Sequence, residues 1–176
     1  LMLHCGQIEA QFVDASLEYL MLSSTQATFL GGGMSFADFN SDGLDDLTFS
    51  DNQGELKFYQ QGENGLELVN LGIDFDGEPK GVLWFDYDND GDQDLMLAVN
   101  NAPNKLWCNE NGTFNDCSLF AGIEAATDWF TFGLSAGDYD LDGFLDVYMC
   151  NYHDGTGSTE QNILYHNNGD GTFTDV

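Results

Sequence analysis

The sequence predicts an all-β fold built from repeated four-stranded sheets, and three observations lead to this prediction. The chain of 176 residues contains 21 glycines and only two prolines. Its short apolar stretches are separated by clusters of Asp, Asn and Gly, which is typical of many short strands joined by tight turns. One acidic template also recurs three times. Since 42% of the residues are hydrophobic, such sheets would have enough apolar side chains to bury a core.

The charge of the chain excludes several classes of partner. There are 31 acidic residues against three lysines, with no arginine, and the formal net charge is −28. A chain without a basic patch cannot neutralise phosphates, so nucleic acid is excluded as a partner. An anionic membrane surface would repel it, and no apolar run is long enough to span a bilayer. The aromatic content of 14% also argues against a disordered acidic tail.

The repeat defines the organisation of the chain. Its template reads G-x4-D-[FY]-[DN]-x-D-G-x-x-D-[LV], and the three copies span 33–47, 81–95 and 133–147. Each copy is followed by an aromatic residue, a turn and a further short element. The aromatic residues are Tyr59, Trp107 and Tyr165. The further element occurs at 12–16, 114–118 and 173–175, with a degenerate copy at 68–70. We therefore predict repeat units at 12–67, 68–113 and 114–172, with the start of a fourth at 173–176.

Within the repeat, alternating stretches predict four strands. In the middle copy these lie around Val82–Phe85, Leu95–Val99, Lys105–Asn109 and Thr113–Cys117. A unit of about 50 residues with four strands fits one blade of a β-propeller. Propellers typically have four to eight blades, so the chain is predicted to form about three blades of a larger propeller. The remaining blades of that propeller are then predicted to be partners of these three.

The first ten residues lack the repeat pattern. They could be the remnant of a secretory signal that is cleaved after Ala10, or a frayed leader or lone strand. Among the four cysteines, Cys108 and Cys117 flank an Asn-Gly turn and could bridge the two arms of a hairpin. Cys150 lies in an apolar run and is predicted to be a buried small hydrophobe.

The acidic loops have the chemistry of a calcium site. Aspartates at loop positions 1, 3 and 5 direct carboxylates to a common point when the loop curls, and Gly at position 6 permits the sharp turn. Position 9 returns an Asp from the next strand, and position 7 can offer a backbone carbonyl. This oxygen-only set suits Ca²⁺ better than zinc or copper, and Mg²⁺ prefers a more compact shell. We expect the first loop to bind most weakly, because Asn40 replaces an aspartate there.

The loops are not EF-hands. An EF-hand needs a bidentate Glu at position 12, where this chain has Phe49, Leu97 and Met149. No amphipathic helix pattern flanks any loop. The aromatic residues at position 2 (Phe39, Tyr87, Tyr139) are instead predicted to face away from the metal and pack between strands. The outer glycines Gly33, Gly81 and Gly133 are predicted to allow close approach of neighbouring strands.

At these loops the sequence resembles the FG-GAP/VCBS repeat family, whose loops also occur in the N-terminal propeller of integrin alpha subunits. The segments 85–91 and 164–173 are similar to the bacterial secreted members, and the Phe-Gly pair of the family survives at Phe132-Gly133. The resemblance implies a seven-bladed or eight-bladed propeller, an extracellular or cell-surface location and, in many members, a role in adhesion. It implies calcium ligands at loop positions 1, 3, 5, 7 (carbonyl) and 9: Asp38, Asn40, Asp42, Leu44 and Asp46; Asp86, Asp88, Asp90, Asp92 and Asp94; Asp138, Asp140, Asp142, Phe144 and Asp146. Three bound Ca²⁺ ions would change the formal charge of −28 to −22.

Two functions remain open from the sequence. The first is a non-enzymatic, calcium-stabilised scaffold that binds a protein or a glycan through its loops. The alternative is the propeller part of a secreted polysaccharide-degrading enzyme of the lyase kind. No nucleophile or phosphate-loop motif is present, and the histidines, His166 included, are interpreted as solvated loop residues. The insertion at 153–159 is the best candidate for a binding loop. Trp84 and Trp107 are expected in the core, whereas for Trp129 core packing and stacking on a sugar both remain open.

Overall fold

The computed structural model describes residues 32–50, 55–123, 131–152 and 161–176, which form three four-stranded antiparallel sheets and one short helix. The first sheet contains β1 (Met34–Ala37), β2 (Asp46–Ser50), β3 (Leu56–Gly62) and β4 (Gly65–Val69). The second contains β5 (Glu78–Phe85), β6 (Asp94–Asn100), β7 (Lys105–Glu110) and β8 (Thr113–Asp116), followed by helix α1 (Ser118–Ala121). The third contains β9 (Thr131–Gly137), β10 (Asp146–Asn151), β11 (Ile163–Asn167) and β12 (Phe173–Asp175). In every sheet neighbouring strands are consecutive in the chain. The predicted all-β fold with four-stranded blades is therefore confirmed.

The turns follow from their sequences. Asn111 and Gly112 join β7 to β8 with φ values of 52° and 84°, the left-handed conformation that a two-residue hairpin turn requires. The two cysteines that flank this turn form the predicted disulfide, Cys108–Cys117. Cys5 lies outside the described residues.

The sheets and the predicted repeat units differ in phase. Phe173–Asp175, predicted to start a fourth unit, is the last strand of the third sheet and pairs with β11. In the first sheet the residue equivalent to Phe114 is Leu66, because Leu66 pairs with Gln61 as Phe114 pairs with Asn109. Phe173 occupies the same position in the third sheet. Leu66 lies two positions before the degenerate copy that was expected at 68–70. Self-similarity fixes the length of a repeat but not the point at which the folded unit begins.

The second sheet packs between the other two. One of its faces contributes Trp84, Leu95 and Trp107 to a cluster with Phe39 and Phe58 of the first sheet. The opposite face belongs to a second cluster that contains residues of the third sheet. Strand β6 is consequently buried along its whole length. The prediction that Trp84 and Trp107 lie in the core is confirmed.

The outer face of the third sheet is exposed, and two predictions fail there. Cys150 is exposed rather than buried, because it lies on the same face of β10 as the exposed Tyr148. At loop position 2, Phe39 and Tyr87 are buried as predicted, but Tyr139 is 53% exposed. Phe39 stacks on Trp84 of the following sheet, with 5.3 Å between ring centroids. No described sheet follows the third one, so Tyr139 has no such neighbour among the described residues.

The outer glycines also differ between the first two sheets and the third, in how closely other atoms approach them. A β carbon on Gly33 would lie 2.9 Å from the backbone nitrogen of Val82, in the next sheet, and one on Gly81 would lie 3.0 Å from the β carbon of Ala98. The predicted close approach is therefore confirmed at these two positions. At Gly133 the nearest atom would be the β carbon of Cys150 at 3.6 Å, which is an ordinary contact, so close approach does not require glycine there.

Several predictions concern residues outside the described ranges. These are the leader at 1–10, the first copy of the short element at 12–16, Trp129 and the insertion at 153–159. Among the residues that the structure describes, no helix is long and apolar enough to cross a membrane.

Candidate metal centres

Each acidic loop connects the first two strands of its sheet and has the same backbone conformation. The residue at position 4 has a positive φ in all three loops: Ser41 at 59°, Asn89 at 62° and Leu141 at 64°. Glycine at position 6 follows with φ between 89° and 97°. Side chains rarely adopt this region of φ, so the invariant glycine of the template is needed for the turn.

Side-chain hydrogen bonds fix this conformation, as the second loop shows. The amide N–H groups of Asp90 and Gly91 donate to the two carboxylate oxygens of Asp86, at 3.1 and 3.0 Å. The N–H of Asp90 also lies 3.3 Å from Asp88 Oδ1, and Asp90 Oδ1 accepts from the N–H of Asp92 at 2.8 Å. The same four bonds form in the first and third loops. Hydrogen bonds from the aspartates therefore help to fix the loop conformation.

Positions 1, 3 and 5 converge in the second and third loops. Carboxylate oxygens of Asp86, Asp88 and Asp90 lie within 4.8 Å of one another, as do those of the group at 138, 140 and 142. In the first loop Asn40 Oδ1 accepts the N–H of Asp42, as Asp88 Oδ1 accepts the N–H of Asp90 in the second loop. In the second and third loops the structure thus brings together the side chains that the sequence predicted at these three positions.

The aspartates at position 9 have a structural role that the sequence did not reveal. Asp46, Asp94 and Asp146 are almost fully buried. One oxygen of each accepts the N–H of position 2, and the other accepts an N–H from the third strand of the same sheet at 2.8 Å. Asp94 is not a member of the group formed by positions 1, 3 and 5 in its loop. The carboxylate at position 9 therefore ties the loop to the sheet, and its role as a metal ligand stays a prediction.

Position 7 also stays a prediction as a carbonyl ligand. Leu44, Asp92 and Phe144 occupy it, and the N–H of each donates to the aspartate at position 5. The Asp92 side chain has a separate partner, since its carboxylate accepts the N–H of Asn111 at 2.7 Å. This bond connects the second loop to the β7–β8 turn.

The electrostatics of the loops favour a bound cation. Burial raises the pKa of the Asp94 carboxyl to about 7, against the opposing hydrogen bonds from Asn109 and Tyr87. Burial and the charge of Asp90 raise the pKa of Asp88. Carboxylates held this close resist ionisation unless a positive charge compensates them. Converging carboxylate oxygens are the donor set that Ca²⁺ prefers, so the residues present fit a calcium ion.

Two residues of β11 contribute to the third loop and were not found from the sequence. The buried Asn167 donates from its side chain to the carbonyl oxygen of Tyr87, in the second loop, at 2.7 Å and to that of Leu145 at 3.1 Å. His166 lies beside Asp140 and Asp146, so its interpretation as a solvated loop residue is wrong. A signal was available for Asn167, because Asn109 occupies the equivalent position in the second repeat, two residues after the aligned aromatic residue.

Comparisons with known proteins agree with this geometry. A family model described as FG-GAP-like repeat matches residues 38–97 and 86–149. Each match runs from the first aspartate of one loop to the strand after the next loop. No curated protein matches the chain significantly. Because the two family matches together cover more than half of the sequence, the chain belongs to the FG-GAP-like repeat family.

Proposed function

We propose that the chain is a calcium-binding β-propeller module that acts outside the cell as a non-catalytic scaffold for adhesion or for binding a protein or glycan. The observation that carries this proposal is the threefold repetition of one loop geometry. Three loops share the same positive-φ positions and the same hydrogen bonds. A solvated Asp-Gly turn needs no such identity, whereas a cation needs oxygens at fixed positions.

The arrangement of the loops supports a shared binding face. The side-chain amide of Asn89, in the second loop, donates to the carbonyl oxygen of Gly143, in the third, at 3.0 Å. Asn40 and Asp92, from the first and second loops, line a common cleft of about 550 Å³. Neighbouring loops therefore meet at one end of the sheets, where bound ions would order a continuous surface.

A non-catalytic role agrees with the use of the ionisable residues. Within the described ranges, every group of three potential metal-ligating side chains contains at least two loop aspartates. In the proposal these carboxylates serve loop structure and cation binding rather than acid–base chemistry.

Thermal unfolding tests calcium binding. A ligand that binds only the folded state stabilises it by RT ln(1 + [L]/Kd), which is about 1.4 kcal/mol for one site at ten times its Kd. For a chain of this size each kcal/mol raises Tm by about 2–4 °C. We expect Tm in millimolar Ca²⁺ to exceed that in EDTA by several degrees, with Mg²⁺ giving a smaller increase. Equal Tm values in Ca²⁺ and EDTA would contradict the proposal.

Binding and catalysis can be separated with polysaccharides. A glycan array incubated with the calcium-loaded protein is expected to show retention without product. Time-dependent release of unsaturated oligosaccharides would instead support a lyase.

A further inference from the structure

We propose that the cleft between the first and second sheets is a binding site for a neutral saccharide. The inference rests on the proposed function and deepens it, because it names one ligand class and the place where that ligand binds. The cleft has a volume of about 550 Å³, which is within the range of about 300–1,000 Å³ that is usual for small-molecule sites. Residues of the first and second acidic loops form part of its wall.

The wall of the cleft carries many neutral polar groups. Side-chain amides come from the first loop, from β3, from the segment after β4 and from the β7–β8 hairpin: Asn40, Gln60, Asn70, Asn109 and Asn111. Each amide has two N–H donors and an oxygen acceptor, which complement the hydroxyl groups of a sugar. Apolar surface for the C–H groups of a sugar ring comes from Val69, Leu71 and Phe114. This combination suits a small polar ligand in a concave site.

Several of these amides have donors to spare. Asn40 and Asn70 use their side-chain oxygens to accept backbone N–H groups at 3.0 and 2.9 Å. Among the hydrogen bonds between described residues, neither of their NH₂ groups donates, and the side chains of Gln60 and Asn111 take part in none. Such groups are solvated by water in an open cleft. A ligand that carries hydroxyl groups reproduces the hydrogen bonds of the water that it displaces, so binding does not leave the amides unpaired.

The charge of the cleft disfavours an acidic ligand. Of the described residues that line it, only Asp92 is ionisable, and its carboxylate accepts the N–H of Asn111 at 2.7 Å. These lining residues supply no positive charge for a carboxylate or a sulfate, and the chain as a whole has a net charge of −28. Like charges that are brought together at a binding site oppose association. The ligand should therefore be a neutral sugar.

The next interface is bridged where the first one is open. Between the second and third sheets, Asn167 donates to the carbonyl oxygen of Tyr87 at 2.7 Å. Asn89 donates to a carbonyl oxygen of the third loop at 3.0 Å. At the first interface Asn109, the counterpart of Asn167, donates instead to the loop of its own blade. The two side-chain bridges that join the second and third sheets therefore have no equivalent among the described contacts between the first and second.

Two sequence differences account for the opening. Ser41 occupies position 4 of the first loop, where the second loop has Asn89, and its shorter side chain carries no amide. After the second sheet, helix α1 places Phe120 near Gly171 of the third blade, where a β carbon would lie 3.2 Å from the ring. After the first sheet no helix follows within the described residues, and Asn70 lines the cleft. The opening is therefore specific to the first interface.

The first experiment is a glycan array incubated with the calcium-loaded full chain. The probes are neutral oligosaccharides of glucose, mannose and galactose, with galacturonate oligomers of the same length for comparison. We expect retention of a neutral oligosaccharide and no retention of the galacturonates. Equal or stronger retention of the galacturonates, or retention of no probe, would overturn the inference.

Variants that preserve the backbone test the location. Asn111→Gly suits the positive φ of the turn, Gln60→Met keeps the length of the side chain, and each removes one amide. Calorimetry with the retained oligosaccharide should show that each weakens binding by about two- to tenfold. Wild-type affinity in both variants would place the ligand elsewhere and overturn the inference.

A third variant tests the opening itself. Ser41→Asn installs the residue of the second loop and should weaken binding, because its amide would bridge the first two sheets as Asn89 bridges the next two. Leu141→Asn makes the matched change at position 4 of the third loop, outside the cleft, and should keep the wild-type affinity. Equal affinities in these two variants would contradict the inference.

Side-chain amide signals provide a readout that does not depend on any variant. In a nuclear magnetic resonance titration of the wild type, the NH₂ signals of Gln60 and Asn111 should shift with the oligosaccharide. Those of Asn115, which is exposed on β8 and does not line the cleft, should not shift. Binding to a peptide array that Gln60→Met and Asn111→Gly weaken, with saccharide retention unchanged, would assign the cleft to a peptide and overturn the inference.

The outcomes separate this inference from the proposed function. Calcium binding without saccharide retention would leave the calcium-binding scaffold standing and remove the saccharide site. Saccharide retention that depends on Gln60 and Asn111, in a chain that binds no calcium, would keep the site and refute the calcium proposal.

Discussion

The second and third sheets have the same topology and nearly the same loop, but they differ in burial. In the second sheet Met96 and Ala98 are fully buried and Tyr87 is 4% exposed. Their counterparts in the third sheet, Tyr148, Cys150 and Tyr139, are all exposed. The hydrogen bonds inside the two loops are nevertheless the same to within 0.1 Å.

This difference separates local from non-local causes. The loop conformation depends on aspartates and a glycine within nine consecutive residues, so it forms whether or not another sheet covers the blade. Burial depends on the following sheet, which covers the second blade and, among the described residues, does not cover the third. Substitutions at equivalent positions should therefore have unequal effects on the two sheets.

The largest expected difference concerns Met96 and Tyr148. Met96 is buried in the cluster between the second and third sheets, so Met96→Ala should lower the free energy of unfolding by about 2–5 kcal/mol. Tyr148 is 42% exposed, and Tyr148→Ala should cost less than about 1 kcal/mol. Urea denaturation of the full chain measures both values. Similar losses would mean that the outer face of the third sheet is covered in solution.

The outer glycines provide the next comparison. An added β carbon at Gly33 would approach the backbone nitrogen of Val82 to 2.9 Å, whereas at Gly133 the nearest atom is 3.6 Å away. Gly33→Ala should therefore destabilise the fold by about 1–3 kcal/mol. Gly133→Ala should be neutral or stabilising by up to about 1 kcal/mol, because alanine restricts the unfolded chain. Equal melting temperatures for these two variants would contradict the packing described here.

Position 4 of the loops tests local strain. Leu141 has a φ of 64° and is 86% exposed, and this region costs most residues about 1–2 kcal/mol. Asn tolerates it, and Asn89 occupies the same position in the second loop. Leu141→Asn should stabilise the protein by about 0.5–1 kcal/mol in chemical denaturation, while the control Leu141→Ala should give no comparable gain. A loss of stability in Leu141→Asn would show that the leucine side chain contributes packing.

The smallest expected effect concerns the ion pair between Lys105 and Asp116 in the second sheet. Burial alone would raise the pKa of Asp116, but hydrogen bonds from Lys105 and Ser118 outweigh it and hold the pKa below its ordinary value. A lowered pKa in the folded state gives stability above the ordinary value that is lost as the pH falls. Lys105→Met should therefore reduce the loss of stability between about pH 5 and pH 3, by less than about 1 kcal/mol. Denaturant titrations at several pH values across this range measure the free energy of unfolding of the wild type and of Lys105→Met. The same pH dependence in both proteins would show that the ion pair contributes nothing.

The sequence predicted the features that are set locally. The spacing of Asp86, Asp88 and Asp90 and the glycine that follows were sufficient to predict the converging carboxylates, because turn conformation and side-chain position are both determined within the loop. The Asn-Gly turn similarly indicated that Cys108 and Cys117 could form a disulfide, which the structure contains. The four strands of the middle blade followed from alternation.

Features that depend on distant contacts could not be predicted in this way. The exposure of Tyr139 follows from the absence of a covering sheet among the described residues, which no local pattern reveals. The contact of His166 with Asp146 requires the register between β10 and β11, and the histidine occurs in only one of the three repeats. The phase of the blade depends on strand pairing, because a periodic sequence can be divided at any point.

The most direct measurement of the central claim is the number of calcium ions bound by the full chain at equilibrium. Dialysis against Ca²⁺ should give three ions per chain, with the weakest site in the first loop and Kd values of about 10⁻⁴ to 10⁻³ M. Asp86→Ala and Asp138→Ala should each remove one ion and leave the others. Binding of no calcium at millimolar concentration, or unchanged stoichiometry in both variants, would contradict the account.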